Sequence, residues 1–413
     1  MHLIYVQALT TLKLQIMKNN LLLVIFSLAA LFLAVSSCQE DPVILSSNQL
    51  SLPEIPYSYS DDFPAHFEVI ENLQFSNGVG NTIFHPDDFG GSVDRLRNSR
   101  NPEVTDQGAA LGRVLFYDPQ LSINNSVSCA SCHHQQLAFS DGKQFSTGFG
   151  GKITPRNSMA IVNTSINRNL FWDSRVQSVA ELISEPIQNH IEMGMESMLD
   201  LEKKLSQVPY YPALFEEAYG SPRITSEGIT TAVAEFLGAM VSGDSKFDQG
   251  MITDFENFTE LEKMGKAIFF SSEAKCSSCH AGANFSAPDL PGGEYGGFGT
   301  EDRKGGTNIG LDLVSKDNGI ADGQFRIPSL RNIALTGPYM HDGRFTSLAE
   351  VVEHYNSGIK SHPELDAKLT SPTGSPIRMQ LDALEKQALI AFLHTLTDEG
   401  FITDPRFSNP FEN

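Results

Sequence analysis

Cysteine is scarce. The 413-residue chain has only five, so a small scaffold stapled by many disulfides is excluded and each thiol needs its own account. Basic residues are also few: 29 Lys+Arg against 50 Asp+Glu give a formal charge of −21, which repels phosphate backbones and argues against nucleic acid as a partner. The same excess of carboxylates favours solubility and basic protein partners. Tryptophan occurs once. No apolar run has the length of a membrane-spanning helix. What remains is ordinary for a globular protein, with 40% hydrophobic residues and a length that favours two domains.

The longest apolar run, Leu21 to Val35, follows Lys13 and Lys18 and ends in Val35-Ser36-Ser37-Cys38. A short uncharged core with small residues before the cut reads as a signal peptide, 1–37. The last four residues resemble a bacterial lipobox, which implies cleavage before Cys38, its acylation, and a start at Met17. The expected product is exported and periplasmic, held to the membrane only through a lipid anchor. The polar stretch after Cys38 reads as a tether, and 38–100 as a tether plus N-terminal extension.

Four cysteines share one grammar. Cys129-Ala130-Ser131-Cys132-His133 and Cys276-Ser277-Ser278-Cys279-His280 are both C-x-x-C-H, the attachment signature of c-type haem. Two chance matches in one chain are expected roughly once in a million sequences. A zinc site would use both cysteine pairs together, and a thioredoxin-like pair would sit in a βαβ unit; neither needs a His after each pair. The spacing has a reason: two thiols three apart on a turn entering a helix add to the two vinyl groups of one porphyrin, and the next His lies under the iron. Two covalently bound haem c groups are therefore expected.

The motifs belong to a larger repeat. Thr105-Asp106 and Thr259-Glu260 each open a helix with a capping Thr followed by acidic residues. Gly112 and Gly265 follow within the repeat, each ahead of an aromatic end, and mark where another helix crosses closely. Apolar residues recur at three- and four-residue intervals over 227–240, 347–355 and 381–396, where Leu384, Ala388, Phe392 and Leu396 make one core stripe. No set of alternating strands appears. The expected fold is all-α, two tandem cytochrome c domains with long irregular loops: 101–250 and 251–413. The Gly/Pro-rich stretch 281–323 is the largest loop.

On these and five further motifs the chain resembles the bacterial di-haem cytochrome c peroxidase family, including its MauG-type relatives. The motifs, in family order, are Pro155-Arg156-Asn157-Ser158, Phe171-Trp172-Asp173, Ile191-Glu192-Met193, Pro328-Ser329-Leu330-Arg331-Asn332 and Thr336-Gly337-Pro338-Tyr339-Met340-His341-Asp342-Gly343. The resemblance implies that the haem on His133 binds hydrogen peroxide and that the haem on His280 takes in and stores electrons from a small cytochrome or other electron-donor protein. It leaves a homodimer open.

The same resemblance assigns further residues. Glu192 matches the distal carboxylate that moves a proton between the peroxide oxygens. Pro186 matches a pocket-lining proline, and Leu182 stands where many members have Gln. Trp172 matches the aromatic between the haems. Phe149 occupies the place, six residues before Pro155, where some members carry a loop His that closes the first iron; Phe cannot ligate, so an open site is expected. His134 adjoins the proximal ligand, cannot reach the opposite face, and is expected to be ordinary. Tyr355, 14 residues beyond His341, matches the second iron's sixth ligand, with Met340 as rival. Asn157, Thr336 and Pro338 match the oxygen donors of one calcium ion. Three functions follow: a cytochrome c peroxidase reducing peroxide to water, a MauG-type enzyme oxidising a protein substrate, or a di-haem electron carrier.

Overall fold

The computed structural model describes residues 101–411 except 168, 281 and 287–305, together with 50, 52, 57–59 and 64. The signal peptide, Cys38, nearly all of the tether and extension, and the middle of the 281–323 loop lie outside the described residues. All elements below belong to one body, Ser51–Phe411.

Ten α-helices carry the described fold: α1 Asp106–Tyr117, α2 Val179–Gln188, α3 Met198–Leu205, α4 Tyr211–Tyr219, α5 Ser226–Gly238, α6 Lys246–Ile252, α7 Glu260–Phe269, α8 Leu348–Glu353, α9 Ala383–His394 and α10 Glu399–Thr403. Only isolated β-bridges, and no strand, occur among the described residues, so the fold is all-α. Thr105 caps α1 by accepting from the Gly108 amide, and Thr259 closes a capping box with Glu262 on α7.

The repeat is physical. A Cβ on Gly112 of α1 would stand 1.9 Å from the Ala232 carbonyl oxygen of α5, and one on Gly265 of α7 would stand 1.8 Å from that of Ala388 on α9. Phe236 and Phe392 flank the two crossings in equivalent places. Each half is thus organised by a helix pair that only glycine allows to approach so closely. In the second half the core gathers Phe247, Phe269, Phe285, Phe392 and Leu396 around α9. Leu384 departs from the expected stripe: it lies in the first turn of α9 and is 53% exposed, while the buried residues of that helix begin at Ala388.

The chain after Asp398 returns to the first half. Arg113 of α1 donates to the Ser408 carbonyl at 2.6 Å, Tyr117 donates to that of Phe407 at 2.7 Å, and Phe401 packs edge-on against Phe139 at 5.7 Å.

Between helices the irregular chain is stiffened by a recurring device. Bridges His134↔Ser140, Thr147↔Ile153, Leu170↔Val176 and Tyr339↔Phe345 each clip a short loop across six residues. Left-handed residues turn three of these loops, at Phe139 (φ 58°), Phe171 (φ 62°) and Met340 (φ 74°). Each clipped loop carries a residue of the site.

Candidate haem sites and the bridge between them

Both C-x-x-C-H motifs begin as a 3₁₀ turn, Cys129–Ser131 and Cys276–Ser278, rather than entering an α-helix as the sequence suggested. Ser128 and Ser131 close a capping box on the first. The four cysteines are half-buried, and none is paired in a disulfide. Burial pushes the thiols of Cys129 and Cys276 up to about 12 and that of Cys132 up to about 11, opposite to the lowered pKa of redox-active pairs. No cluster of three His, Cys, Asp or Glu that could hold a metal ion occurs among the described residues, which removes a shared zinc site.

The two histidines are held alike. Nδ1 of His133 lies 2.6 Å from the Phe139 carbonyl and Nδ1 of His280 lies 3.0 Å from that of Phe285. A carbonyl only accepts, so Nδ1 carries the proton and Nε2 keeps its lone pair for a metal. Burial lowers both pKa values, His280 to about 4, which maintains the neutral, ligating imidazole. A cavity at the second motif is lined by Cys276, Cys279 and His280 and otherwise mainly by apolar side chains such as Phe269, Leu330 and Leu389. A planar apolar cofactor with two thioether bonds and one imidazole ligand fits this donor set.

Glu192 belongs to the first motif. It is half-buried, Asn189 Nδ2 donates to its Oε1 at 3.0 Å, and its charge raises the pKa of both Cys129 and Cys132. Burial raises its own pKa, Arg175 pulls it back and Glu185 pushes it further up. The Phe149 loop rests on this segment: the Phe149 amide donates to the Glu192 carbonyl at 2.9 Å, and its ring abuts Gly194. Lys152 caps that ring at 4.4 Å and donates to the His190 carbonyl at 2.6 Å. Pro186 lies inside α2, and its carbonyl accepts from Met193. Leu182 is half-buried on the same helix. His134 pairs at 3.6 Å with the buried Asp141, an ordinary use.

One four-residue stretch joins the sites. Ser158 donates to the Cys132 carbonyl at 3.0 Å and lies 3.5 Å from His133 Nδ1. The Asn157 carbonyl accepts the indole N–H of Trp172 at 2.9 Å. Arg156 clamps Asp173 and Asp317 at 2.7 Å each. Trp172 meets Phe325 and His341 edge-on, while Phe325 and His341 stack at 3.7 Å. Ser158, Asn157 and Trp172 also line the second cavity, so the bridge reaches from the first motif to the second.

Tyr355 and Met340 both line that cavity, as does Met379, which sequence reasoning missed. The expected helix 347–355 does not run through: α8 ends at Glu353 and His354–Gly358 form a π-turn. In it His354 bonds the Ile309 carbonyl at 3.0 Å and Asn356 accepts from Leu381, which leaves Tyr355 between them on the cavity side. π-turns recur at functional sites. Burial raises the Tyr355 pKa, and the nearby Cys279 and Cys276 raise it further.

Asn157, Thr336 and Pro338 all line that cavity. Asn157 Nδ2 is occupied by the Lys143 and Gln144 carbonyls, at 2.9 and 3.2 Å. Arg331 was quoted only as a motif letter. It is fully buried, with a two-pronged pair to Asp248 at 2.8 and 3.0 Å and a bond to the Ala283 carbonyl at 2.7 Å, and so fixes the chain just beyond His280.

The family model described as di-haem cytochrome c peroxidase matches residues 106–255. The methylamine utilization protein MauG of Methylorubrum extorquens is 34% identical over 301 residues, 72% of this chain and 80% of its own. The chain belongs to the di-haem cytochrome c peroxidase family. The cytochrome c551 peroxidase of Nitrosomonas europaea is likewise 34% identical, over 61% of this chain and 73% of its own. A solved MauG-like protein associated with microbial copper homeostasis superposes with TM-score 0.63 at 32% identity, over 75% of this chain and 94% of its own. Haem c is the cofactor of this di-haem family, and its members include both peroxidases and MauG-type proteins.

Proposed function

We propose that the chain is an exported peroxidase that reduces hydrogen peroxide to water with electrons from a small donor protein. Cys129, Cys132 and His133 would hold one haem c, and Cys276, Cys279 and His280 the other. The carrying observation is Glu192, a half-buried carboxylate whose field reaches both cysteines of the first motif. When bound, the haems supply two iron centres that together exchange the two electrons peroxide takes. The protein's share is proton movement and positioning. Asn189 fixes one Glu192 oxygen, leaving the other to take the proton from the inner peroxide oxygen and return it to the departing one. Phe149 offers no ligating atom, so no side chain at that place has to be released before peroxide enters. Trp172, anchored by Asn157, fills the space between the sites with one polarisable ring.

Tyr355 is proposed as the second haem's sixth ligand, Asn157, Thr336 and Pro338 as donors to one calcium ion, and Cys38 as a lipid anchor in the periplasm. The division 101–250 and 251–413 is part of the proposal, with the stretch after Asp398 bonded back to α1 of the first domain. Peroxide-dependent oxidation of a reduced small cytochrome by the purified diferric protein tests the reading; no oxidation above free haem refutes it.

A second reading is favoured by Tyr355 in the second cavity. A phenolate there lowers the potential and helps the protein keep two oxidising equivalents, as withdrawing electrons from a protein substrate requires. A long-lived oxidised spectrum after peroxide, indifferent to added reduced cytochrome, selects the MauG-type activity. Two low-spin haems that ignore peroxide would select a carrier.

A further inference from the structure

Among the described residues, six tyrosines donate hydrogen bonds, and they do so in two ways. Tyr59, Tyr117 and Tyr339 donate to the backbone carbonyls of Arg406, Phe407 and Ile333. The tyrosines at and along α4 donate instead to carboxylates. Tyr210 and Tyr211 both donate to Asp118 Oδ2, at 2.5 and 2.7 Å, and Tyr219 donates to Glu235 Oε1 at 3.0 Å. The difference is chemical. A phenol that loses an electron becomes a strong acid, and a carboxylate can take its proton where a peptide carbonyl cannot.

The rings form two runs that meet at Asp118. Phe116 lies 6.5 Å from the His133 ring and 5.3 Å from Tyr117, whose chain neighbour is Asp118. Tyr210 and Tyr211 follow at 4.7 Å from one another, then Tyr211 to Phe215 at 6.4 Å and Phe215 to Tyr219 at 6.2 Å. The i, i+4 spacing of 211, 215 and 219 stacks these rings on one face of α4. Tyr211 is fully buried, whereas Tyr219 is 38% exposed. The two runs, joined through Asp118, therefore start against the first haem motif and end in solvent.

We propose that the α4 tyrosines are a proton-coupled redox route that carries oxidising equivalents from the first haem site to a small phenolic reductant at Tyr219. The proposal rests on the peroxide reading above, because hydrogen peroxide is the oxidant. Peroxide takes two electrons and two protons to give two waters. When the donor protein is absent, an electron leaves Tyr210 or Tyr211 toward the first site, and the phenolic proton moves to Asp118 Oδ2. Tyr219 refills that hole with its own electron and passes its proton to Glu235; the neutral radical then takes a hydrogen atom from the external phenol, and each carboxylate gives its proton back to solvent or to the re-reduced phenol. Two phenols are oxidised per peroxide. Burial pushes the Tyr211 phenol well above its ordinary range, so proton and electron leave together rather than the proton first.

Asp118 also accepts from the Gln120 amide at 2.8 Å, so a purely structural use of this carboxylate is the competing account. The test uses diferric holoprotein given one equivalent of peroxide without donor, frozen, and read by electron paramagnetic resonance. A tyrosyl radical is expected in the wild type and is lost in Tyr210→Phe/Tyr211→Phe. Tyr219→Phe keeps the buried radical but loses oxidation of added small phenol. All three proteins should retain peroxide turnover with a reduced cytochrome. Peroxide consumed without a tyrosyl signal, or a signal unchanged in the double variant, overturns the route alone; wild-type protein that leaves peroxide untouched overturns the peroxidase reading with it.

Discussion

Glu192→Gln isolates proton transfer from placement. Asn189 Nδ2 donates to Glu192 Oε1 at 3.0 Å, and the amide oxygen of Gln can accept the same bond, so the side chain keeps its position. What it loses is the ability to take and return a proton. General acid–base catalysis contributes about 10²–10⁴-fold, so kcat/KM for peroxide should fall by that much, roughly 3–5 kcal/mol in the barrier. Folding should not suffer, because a neutral amide avoids the desolvation that raises the Glu192 pKa. The assay is peroxide-dependent oxidation of a reduced small cytochrome, with haem stoichiometry and melting temperature as controls. The pH dependence has a definite sign. The base form is the carboxylate, so wild-type kcat/KM falls as pH drops through a pKa lying above the ordinary value of about 4.3. Glu192→Gln should lack that acid limb, and Arg175→Gln, which removes the cation opposing the upward shift, should move it to higher pH. A variant within tenfold of wild type, or one retaining the same acid limb, would refute the assignment.

Gly265→Ala should destabilise the second half, since the Ala388 carbonyl 1.8 Å from the new Cβ must retreat by about 1.5 Å; an overpacking cost of roughly 1–3 kcal/mol or more outweighs the ~1 kcal/mol gain in helix propensity, and a lowered melting temperature checks it. Asp248→Asn strands the buried Arg331 charge and should cost about 3–5 kcal/mol, read by chemical denaturation. Tyr355→Met should raise the potential of the second haem in spectroelectrochemical titration, because a thioether favours the reduced iron and a phenolate the oxidised one. Trp172→Phe should slow electron transfer between the haems with both spectra unchanged, measured by stopped flow after reduction of the second haem.

How much of this was legible in the sequence depends on how local each signal is. The haem motifs occupy five consecutive residues each, and the helix crossings need one glycine at a fixed place in a helix, so both could be read without knowing what packs opposite. The bridge was half legible. Arg156, Asn157, Trp172 and Asp173 stood in motifs, but nothing in their spacing says that the Asn157 carbonyl holds the indole or that Asp317, from a loop without periodicity, completes the Arg156 clamp. The π-turn at His354–Gly358 was invisible, because a helical apolar pattern continues up to it and the break is set by distant partners, the Ile309 carbonyl and the Leu381 amide. Leu384 failed for the converse reason: periodicity names a face, and tertiary packing decides how far along the helix that face is covered.

The two halves hold their histidines in the same way, so the proposed division of labour needs a source beyond the proximal bond. Each imidazole is neutral, buried and bonded through Nδ1 to the carbonyl of a phenylalanine five or six residues on, at 3.0 and 2.6 Å. Each motif sits beneath a helix pair crossed at glycine. Similar ligation and similar scaffolds would give similar electron donation to a bound iron. The proposed division of labour would then fall mainly to the loops that face each site. At the first motif they bring a carboxylate and a phenylalanine, which favours proton-coupled chemistry on a small ligand and leaves room for it. At the second they bring a tyrosine on a π-turn together with methionines, side chains that could ligate a bound iron and so suit the proposed electron-exchange role. The duplicated scaffold supplies the cofactor sites, and the unduplicated loops assign their chemistry.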